Sequence, residues 1–497
     1  MSAYRRLNYR KGRADARRII VMHVAPEGGR RTMGCFVQSG GLIRGGSVTD
    51  PGDEIATRDP AEFWAWAWRS QATLLLCVQP RRDLAIAGTP LGGTVCHRSG
   101  TVVDDGRRFM GHYAHKDNKR RRMDVYGIAN LHPEGRSAAA MSFDEARRWA
   151  GVYVGFVRES GLGPRIYPTP ASQSLYGFRL HVGDGDRPCW HEIEDLFEFE
   201  IDAKASFPPV RIEPADGFHE RLYSVDFTAF YLSILASEPM PRHPCCYLDV
   251  SAETVARRME RGELAIVETA DGEFLATPQL RRLDVRSLDV RRACLYMPTD
   301  SLRSWALRMY DLRLNASTPE RAAIAKMLGV VLWGRLSARN FRWEQAEYDP
   351  DEWDGSLWGV GPITELDGSQ TSYTLEDGRV VKWHQDHRKW LPDRYHAIGV
   401  HVLAHARQRM EDLMEGRDVV YAHTDSIWCR GVISEPLQGG LGGFTHKLHR
   451  NVEFRRGMRI VDGEVDAASG YAREGVLSYL PLGHDFLGEG EAAYEIG

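Results

Sequence analysis

Two aspartates about 200 positions apart, Asp226 and Asp425, each lie beside short runs of β-branched, aromatic and aliphatic residues. Residues 222–225 predict a buried strand, and the apolar spacing of residues 228–238 predicts a helix after it, so Asp226 should lie where strand meets helix. Two acids that each follow a short strand in this way are typical of a two-metal phosphoryl-transfer site.

Around Asp425, the runs 419–421 and 427–429 flank three polar residues, which predicts a hairpin with a tight polar turn. Two carboxylates presented in this way can hold two divalent cations, as phosphoryl-transfer sites do. Taken singly, each acid has a structural alternative: Asp226 could be a helix N-cap and Asp425 a turn former.

A third segment lies between the two acids. Thr318 followed by Pro319 predicts the start of a helix, in which Lys326, Val330 and Trp333 share one face, with Gly334 next to the tryptophan. A single helical lysine is usually a solvated charge. The chain, however, has only 8 lysines against 56 arginines, and a compact ammonium near an acidic cluster suits a triphosphate.

In order, the three segments read DFTAFYLSI, KMLGVVLWG and YAHTDS. They resemble motifs A, B and C of the family B DNA polymerases, most closely the short protein-primed bacteriophage type, whose patterns are D-x-x-S-L-Y-P-x-I, K-x-x-x-N-S-x-Y-G and Y-x-D-T-D-S. The resemblance implies an α+β fold: a right-hand polymerase with palm, fingers and a reduced thumb, preceded by a ribonuclease H-like exonuclease-type domain.

The resemblance also implies roles for single residues. Asp226 and Asp425 would be the catalytic metal ligands for two divalent cations, Mg²⁺ or Mn²⁺, with the Phe227 carbonyl as a third oxygen. The residues implied at the nucleotide are Tyr231 under the sugar, Lys326 and Arg308 on the triphosphate, and Trp333 and Gly334 beside the nascent base pair. Arg303 and Arg313 are further candidates for the contact assigned to Arg308.

Motif C departs from the family at one position. Its residues are Tyr421, His423, Thr424 and Ser426 around Asp425, and His423 stands where the family has the first aspartate of a pair. The loss of one negative charge should weaken metal binding, and an imidazole favours softer cations than Mg²⁺, so we expect better activity with Mn²⁺. Alternatively, His423 makes a hydrogen bond to a primer phosphate or to a neighbouring turn carbonyl.

Motif B departs as well, because Val330 and Val331 replace an Asn-Ser pair. Two hydrogen-bonding side chains are therefore missing from the nucleotide-facing helix, each worth on the order of 1 kcal/mol. We expect relaxed discrimination against wrong nucleotides.

The segment before motif A predicts the strands of an exonuclease domain but not its chemistry. Residues 16–26 and 32–40 predict a hairpin, 60–70 a helix, and 72–80 a buried strand. The family's acidic residues are largely absent: His23 and Ala25 replace the Asp-x-Glu, Asp83 remains from the second motif, and Asp144 is the nearest acid to the third. Because one carboxylate cannot hold two metals, we interpret the domain as an inactive exonuclease kept as a scaffold and single-strand platform.

Basic clusters provide the expected contacts to nucleic acid. They are an N-terminal arm, a loop with Arg120, Arg121 and Arg122 among aromatic residues, and a segment after motif C with Arg455, Arg456 and Arg459. The alternative for the arm and the loop is a solvated charged face. The last 35 residues are acidic, so the thumb should be small or supplied by a partner, and processivity low.

Composition agrees with a multidomain chain. Its 497 residues are 43% hydrophobic with a net charge of −4, its eight cysteines form no CxxC pair, and no segment predicts a membrane span or a signal peptide. We therefore expect a cytoplasmic protein, and the resemblance implies a bacterial or phage-infected cell. We divide the chain into a basic arm (1–18), a degenerate exonuclease domain (19–205), a palm and fingers domain (206–462, with an insertion at about 345–395) and an acidic reduced thumb or tail (463–497).

The sequence thus predicts a DNA polymerase that adds deoxynucleotides to a 3′-hydroxyl by two-metal phosphoryl transfer without proofreading. Its partners would be primer-template or single-stranded DNA, deoxynucleoside triphosphates and a terminal protein or other replication partner. Two alternatives stay open: an untemplated or short-product nucleotidyltransferase, and a non-catalytic DNA-binding pseudo-polymerase. The primer type, template dependence, oligomeric state and pathway also stay open.

Overall fold

The fold is that of a computed structural model, which describes residues 18–26, 30–32, 35–37, 41–78, 83–84, 87, 96–98, 103–104, 109–115, 118–132, 141–167, 169–182, 194–337, 342–346, 363–364, 370–376, 379–386, 395–431, 440–455 and 458–465. The predicted basic arm up to residue 17 and the acidic tail from residue 466 lie outside the described residues. No helix in the described ranges is long and apolar enough to cross a membrane.

The strands and helices follow one another along the chain as a mixture of sheets and packed helices. The strands are β1 (Arg18–Pro26), β2 (Arg30–Thr32), β3 (Cys35–Val37), β4 (Gly41–Ser47), β5 (Glu54–Thr57), β6 (Ala72–Cys77), β7 (Cys96–Arg98), β8 (Val103–Asp104), β9 (Phe109–His115), β10 (Asn118–Gly127), β11 (Arg211–Ile212), β12 (Gly217–Phe227), β13 (Met240–Leu248), β14 (Leu264–Thr269), β15 (Phe274–Ala276), β16 (Val290–Thr299), β17 (Arg342–Ala346), β18 (Ile363–Thr364), β19 (Gln370–Glu376), β20 (Arg379–Asp386), β21 (Asp418–His423), β22 (Ser426–Arg430), β23 (Phe444–Arg455), β24 (Met458–Val461) and β25 (Glu464–Val465). The helices are α1 (Pro60–Arg69), α2 (Phe143–Glu159), α3 (Pro170–Val182), α4 (Glu194–Ala205), α5 (Phe230–Ser237), α6 (Ala252–Met259), α7 (Thr277–Leu280), α8 (Ser301–Leu314), α9 (Pro319–Leu336) and α10 (His396–Met414).

The N-terminal sheet has the order β5-β4-β1-β6-β10-β9-β7, with β8 beside β9. Side chains of β1 alternate between two cores, because successive residues of a strand point to opposite faces: Ile19 and Val21 face α2, and Ile20 and Met22 face α1. The predicted helix α1 and strand β6 are confirmed.

The predicted hairpin between residues 16–26 and 32–40 is wrong. Strand β1 pairs with β4, and β3 pairs with β2 in a separate two-stranded sheet. The sequence of β4 gives only a weak strand signal, because it includes Gly45 and Gly46, which let helices approach the sheet closely. A Cβ atom on Gly45 would lie 2.6 Å from the Trp66 ring, and one on Gly46 would lie 3.0 Å from the Phe143 ring.

The central sheet has the order β11-β21-β22-β12-β23-β24-β25, and it joins the two segments that carry Asp226 and Asp425. The predicted strand around 222–225 lies within β12, and α5 follows it as expected. The predicted hairpin is also confirmed, as β21 and β22 pair antiparallel up to His423 opposite Ser426.

Two further sheets lie between these elements in the chain. Strands β13, β16, β14 and β15 form one, and β17, β20, β19 and β18 form the other, within the segment interpreted as an insertion. Strands β19 and β20 form a hairpin in which Glu376 pairs with Arg379, and the two residues between them lie outside the described residues.

Helix α10 is not amphipathic in its first three turns. Every residue from 396 to 406 is buried, because Ile398 and Val402 pack into the core shared with the central sheet while Val400 and Leu403 pack into a second core with α4. Three histidines make the helix look polar in sequence. One of them, His401, has both ring nitrogens bonded, Nδ1 with the Ala397 carbonyl at 2.9 Å and Nε2 with the Thr277 hydroxyl at 3.1 Å.

We expect acid to destabilise the protein through these histidines. Burial lowers the pKa of His401 from 6.5 to about 3 and that of His405 to about 4. Below pH 6.5 these histidines therefore bind protons in the unfolded chain but not in the folded one. Their contribution to the free energy of unfolding is complete above pH 6.5 and is lost as the pH falls, at up to about 1.4 kcal/mol per pH unit for each histidine. Urea unfolding at several pH values checks this, with His401→Gln expected to show a shallower loss; an unchanged slope would contradict it.

Candidate active site

Asp226 lies at the end of β12, next to two neighbouring strands. It is paired in register with Ser426 of β22 and with Thr445 of β23, and its side chain is partly buried. Since side chains alternate along a strand, it points away from the core that holds Val225 and Phe227. The carboxylate is therefore on the face of the sheet opposite the helices.

Asp425 lies in the turn between β21 and β22, directly beside the end of β12. The Phe227 N–H donates to the Asp425 carbonyl at 2.9 Å, which ties the two acidic segments together. The structure thus brings together the two aspartates that the sequence singled out.

Both segments contain strained backbone. Ala229 and Thr424 have φ of 53° and 51°, in the left-handed region that is costly for residues with a Cβ, and most costly for a β-branched one. Hydrogen bonds hold each in place: the Thr424 N–H donates to the Val210 carbonyl at 3.2 Å, and the Ser233 N–H donates to the Ala229 carbonyl at 2.8 Å. The strain lies at the two corners that present the aspartates.

The segment 440–443 also supports this corner, and sequence reasoning did not single it out. The Thr228 N–H donates to the Gly443 carbonyl at 2.7 Å, and the Gly442 N–H donates to the Thr228 carbonyl at 2.9 Å. A Cβ on Gly442, whose φ is +77°, would lie 2.9 Å from the Ser233 Cβ. The run of glycines in this segment is a visible sequence signal for such a close approach.

The electrostatics of Asp425 report on its neighbours. Burial raises the pKa of this carboxyl, and the negative charge of Asp226 raises it further, while a hydrogen bond from the Thr424 hydroxyl and the charge of Lys326 lower it. The two carboxylates and the lysine are therefore close enough to interact.

Helix α9 presents Lys326 as the sequence predicted. Thr318 caps the helix by accepting from the Arg321 N–H at 3.3 Å, and Pro319 is its first residue. Lys326 is exposed, while Ile324 and Ala325 beside it are buried in the core.

Tyr231 and Trp333 form an aromatic pair across α5 and α9, with ring centroids 4.9 Å apart. Burial raises the pKa of Tyr231 to about 12, with a smaller contribution from the charge of Asp425. Val330 and Val331 are half-buried on the same helix, and a Cβ on Gly334 would meet no atom of the described residues within 4 Å. The described part of the chain therefore leaves space beside Gly334.

His423 is part of a chain of hydrogen bonds that ends on Asp425. The Thr424 hydroxyl donates to Asp425 Oδ1 at 3.1 Å and lies 3.2 Å from His423 Nδ1. Because an ionised carboxylate only accepts, the hydroxyl hydrogen goes to Asp425 and the oxygen accepts from the imidazole. The ring of His423 also lies parallel to that of Tyr421, with centroids 6.4 Å apart.

The donor atoms at this corner suit a hard cation. Burial and, after it, the charge of Asp226 raise the pKa of the Asp425 carboxyl, so the two carboxylates lie near each other, and Mg²⁺ and Mn²⁺ prefer such oxygen ligands. Within the described ranges, no group of three or more His, Cys, Asp and Glu side chains forms a metal site. Asp226 and Asp425 would therefore need further oxygens from the backbone, water or substrate.

Other predicted site residues lie elsewhere or outside the described part. Arg308 donates to the Ser160 carbonyl at 2.6 Å and to His181 Nδ1 at 2.9 Å, so its guanidinium is engaged with the N-terminal helices. Arg313 is another arginine considered for the triphosphate, and its buried Nη1 has no hydrogen-bond partner among the described residues.

The arginines expected to contact DNA are distributed differently. Arg459 is only 7% exposed and lies over the Trp428 ring at 4.0 Å, inside a small core, which leaves little of it for DNA. Arg120, Arg121 and Arg122 lie in β10 and Arg455 ends β23, but their side chains are outside the described part, as is Arg456 altogether.

Among the described residues of the N-terminal sheet and its helices, no three acids form a group that could hold a metal ion. Asp83 is fully buried and accepts from the Val24 N–H of β1 at 3.2 Å. This bond satisfies a backbone group of β1 that lies beyond the last residue paired with β6. Asp144 is exposed and pairs with Arg44 at 3.2 Å. His23 and Ala25 lie on the β1 face toward α2.

Comparison with known proteins found similarity in structure but not in sequence. No family model and no curated protein matches the chain. Among solved structures, it is similar to Phi29 DNA polymerase complexed with primer-template DNA and incoming nucleotide substrates, with a TM-score of 0.60 and 11% identity over 91% of this chain and 88% of that one. The same polymerase with primer-template DNA, and with single-stranded DNA, gives 0.58 and 12% over 90% and 89% in both cases. Over most of its length, the chain therefore has the α+β fold of Phi29 DNA polymerase.

Proposed function

We propose that the protein is a DNA polymerase that adds deoxynucleotides to a 3′-hydroxyl. The observation that carries the proposal is the corner where Asp226 and Asp425 meet within electrostatic range of Lys326. The similarity to Phi29 DNA polymerase supports it, because that protein is complexed with primer-template DNA and nucleotide substrates.

In this mechanism, Asp226 and Asp425 would hold two divalent cations, which supply charge stabilisation to the attacking and leaving oxygens of an in-line displacement. Lys326 offsets the charge of the triphosphate, and its exposure leaves it accessible to one. Tyr231 and Trp333 form the wall against which sugar and base pack, and with a pKa of about 12 the Tyr231 hydroxyl stays protonated at neutral pH.

The proposed polymerase lacks proofreading. Asp83, the acid kept from the family's second exonuclease motif, is fully buried and hydrogen-bonded to the backbone of β1, and Asp144 is exposed and paired with Arg44. A pair of metals needs several converging carboxylates, and these two serve other purposes.

The substrates of this reaction would be primer-template or single-stranded DNA and deoxynucleoside triphosphates, and a terminal protein or other replication partner remains part of the proposal.

A second candidate function is an untemplated or short-product nucleotidyltransferase. It is favoured by the apolar Val330 and Val331 on the helix that carries Lys326, since polar groups there would check the new base pair. A non-catalytic DNA-binding pseudo-polymerase is the third, and His423 favours it.

The central test is primer extension by Asp226→Asn and Asp425→Asn variants. Each change removes a metal ligand, so we expect at least a thousandfold loss of incorporation, roughly 4 kcal/mol. Asp418→Asn is the matched control, because Asp418 lies in the same hairpin but is exposed and paired with Arg430. Extension of the primer by either variant would contradict the assignment of the site. Extension of a bare primer by the unaltered protein would favour the untemplated transferase. DNA binding without incorporation by the unaltered protein would favour the pseudo-polymerase.

We expect faster synthesis with Mn²⁺ than with Mg²⁺, because the site has a histidine, His423, where the family has an aspartate. It therefore has one negative charge fewer, and an imidazole is a softer ligand than a carboxylate. His423→Asp should restore activity with Mg²⁺. Initial rates at matched free concentrations of the two ions decide this, and equal or faster synthesis by the unaltered protein in Mg²⁺ would refute it.

We expect no removal of a mispaired 3′-terminal nucleotide in the absence of nucleoside triphosphates. The physical reason is that Asp83 cannot bind two metals alone while it is bonded to the Val24 N–H. Degradation of an end-labelled mismatched primer is the readout. Trimming that survives Asp226→Asn but disappears in Asp83→Asn would show that the N-terminal sheet does carry a nuclease.

A further inference from the structure

Helices α8 and α9 form a hairpin whose two members are joined by residues 315–318, and one side of it packs on the N-terminal helices. Trp305 of α8 is fully buried there, edge-on to Phe178 of α3 with ring centroids 6.0 Å apart. A Cβ on Gly177 would lie 3.1 Å from the Trp305 ring. The hairpin that carries Lys326 is therefore seated on α3 without a gap.

Arg308 links α8 to both N-terminal helices. Its Nη2 donates to the Ser160 carbonyl, at the C-terminal end of α2, at 2.6 Å, and its Nη1 donates to His181 Nδ1, in α3, at 2.9 Å. Because arginine can only donate, Nδ1 accepts, and the neutral ring carries its hydrogen on Nε2. That nitrogen lies 2.8 Å from the Ser304 hydroxyl, one turn before Arg308, so the imidazole bridges two residues of the same helix.

Helix α9 is held from the same side. The fully buried Ser174 hydroxyl of α3 donates to the Leu328 carbonyl at 2.6 Å, two residues beyond Lys326. Near the start of α9, Arg321 forms an ion pair with Glu159 of α2 and lies over the Phe156 ring at 5.8 Å. Polar contacts thus fix the hairpin before and after the lysine.

We propose that Arg308 is a positioning residue, which sets the location of Lys326 through His181 and Ser160 instead of touching the nucleotide itself. The inference rests on the proposed function, since it gives Lys326 its role at a triphosphate. An exposed lysine has no packing of its own to fix it, so the place of its ammonium follows from the seat of α9. A shift of about 1 Å in such a group is enough to weaken its contact strongly.

The same inference gives the N-terminal part a purpose that needs no nuclease. Four residues of α2, its C-cap and α3 hold α8 and α9 in this way, and we call them the clamp: Glu159, Ser160, Ser174 and His181. Loss of the acidic residues for cleavage would leave the clamp intact, because none of its four members belongs to the degenerate exonuclease motifs.

The first experiment does not depend on activity. Amide hydrogen exchange of residues 319–336 in Arg308→Ala should be about tenfold faster than in the unaltered protein, with exchange of β12 and β22 unchanged. Leu307→Ala is the matched control, because Leu307 is the preceding residue of α8 and is 48% exposed. Unchanged exchange in Arg308→Ala would overturn the clamp, whether or not the protein proves to be a polymerase.

The second experiment separates positioning from direct contact. Arg308→Ala and His181→Ala should each raise the KM for deoxynucleoside triphosphate about tenfold with little effect on kcat or DNA affinity, and the double variant should be no worse than the poorer single one. If the two effects on KM multiply in the double variant, to about a hundredfold, Arg308 acts on the nucleotide directly. If neither single variant changes KM, Arg308 acts neither on Lys326 nor on the nucleotide. Either result overturns the proposal. Arg308→Lys and His181→Asn, which can each keep one bond, serve in place of any variant that fails to fold and should give intermediate KM values.

Discussion

The hydrogen bond from the Phe227 N–H to the Asp425 carbonyl, 2.9 Å long, joins the end of β12 to the turn between β21 and β22. It completes a ladder in which Asp226 lies opposite Ser426 and Val225 opposite Ile427. Val225 and Ile427 are buried in the core beneath the sheet, so a slip of one residue in a strand would move these apolar side chains to the opposite face and the aspartate into the core. The hydrophobic pattern thereby fixes the register, and the register fixes the site.

The site is also held from below by α5 and α10. Arg409 of α10 reaches α5, with Nη1 on the Ser233 hydroxyl at 3.1 Å and Nη2 on Glu238 at 3.1 Å. Because α5 begins just after the strained Ala229, these contacts oppose relaxation of the corner that presents Asp226. Burial of α10 between two cores in turn makes it a rigid support.

The N-terminal part is stabilised by packing, and its helices also contact the hairpin that carries Lys326. Its sheet keeps a complete core on both faces, while the positions where a nuclease needs acids hold a histidine, an alanine and one buried aspartate that completes the backbone pairing of β1. Its helices meanwhile carry the polar groups that seat the hairpin of Lys326. Close packing accounts both for the stability of this part and for its contact with the hairpin, and it does not depend on carboxylates.

The sequence by itself determined the local elements and the residue types of the site. Periodicity and capping signals located β12, the β21–β22 hairpin and α9, and the three motifs identified Asp226, Asp425 and Lys326, because these signals act over a few neighbouring residues. Only the tertiary structure decided the partner of β1, the burial of α10 and the engagement of Arg308 and Arg459. Those features depend on which distant side chains meet. The glycines of β4 weaken its strand signal, and the buried histidines of α10 are polar residues that do not face solvent. The sequence does not show whether an arginine binds a phosphate, a carbonyl or a tryptophan ring.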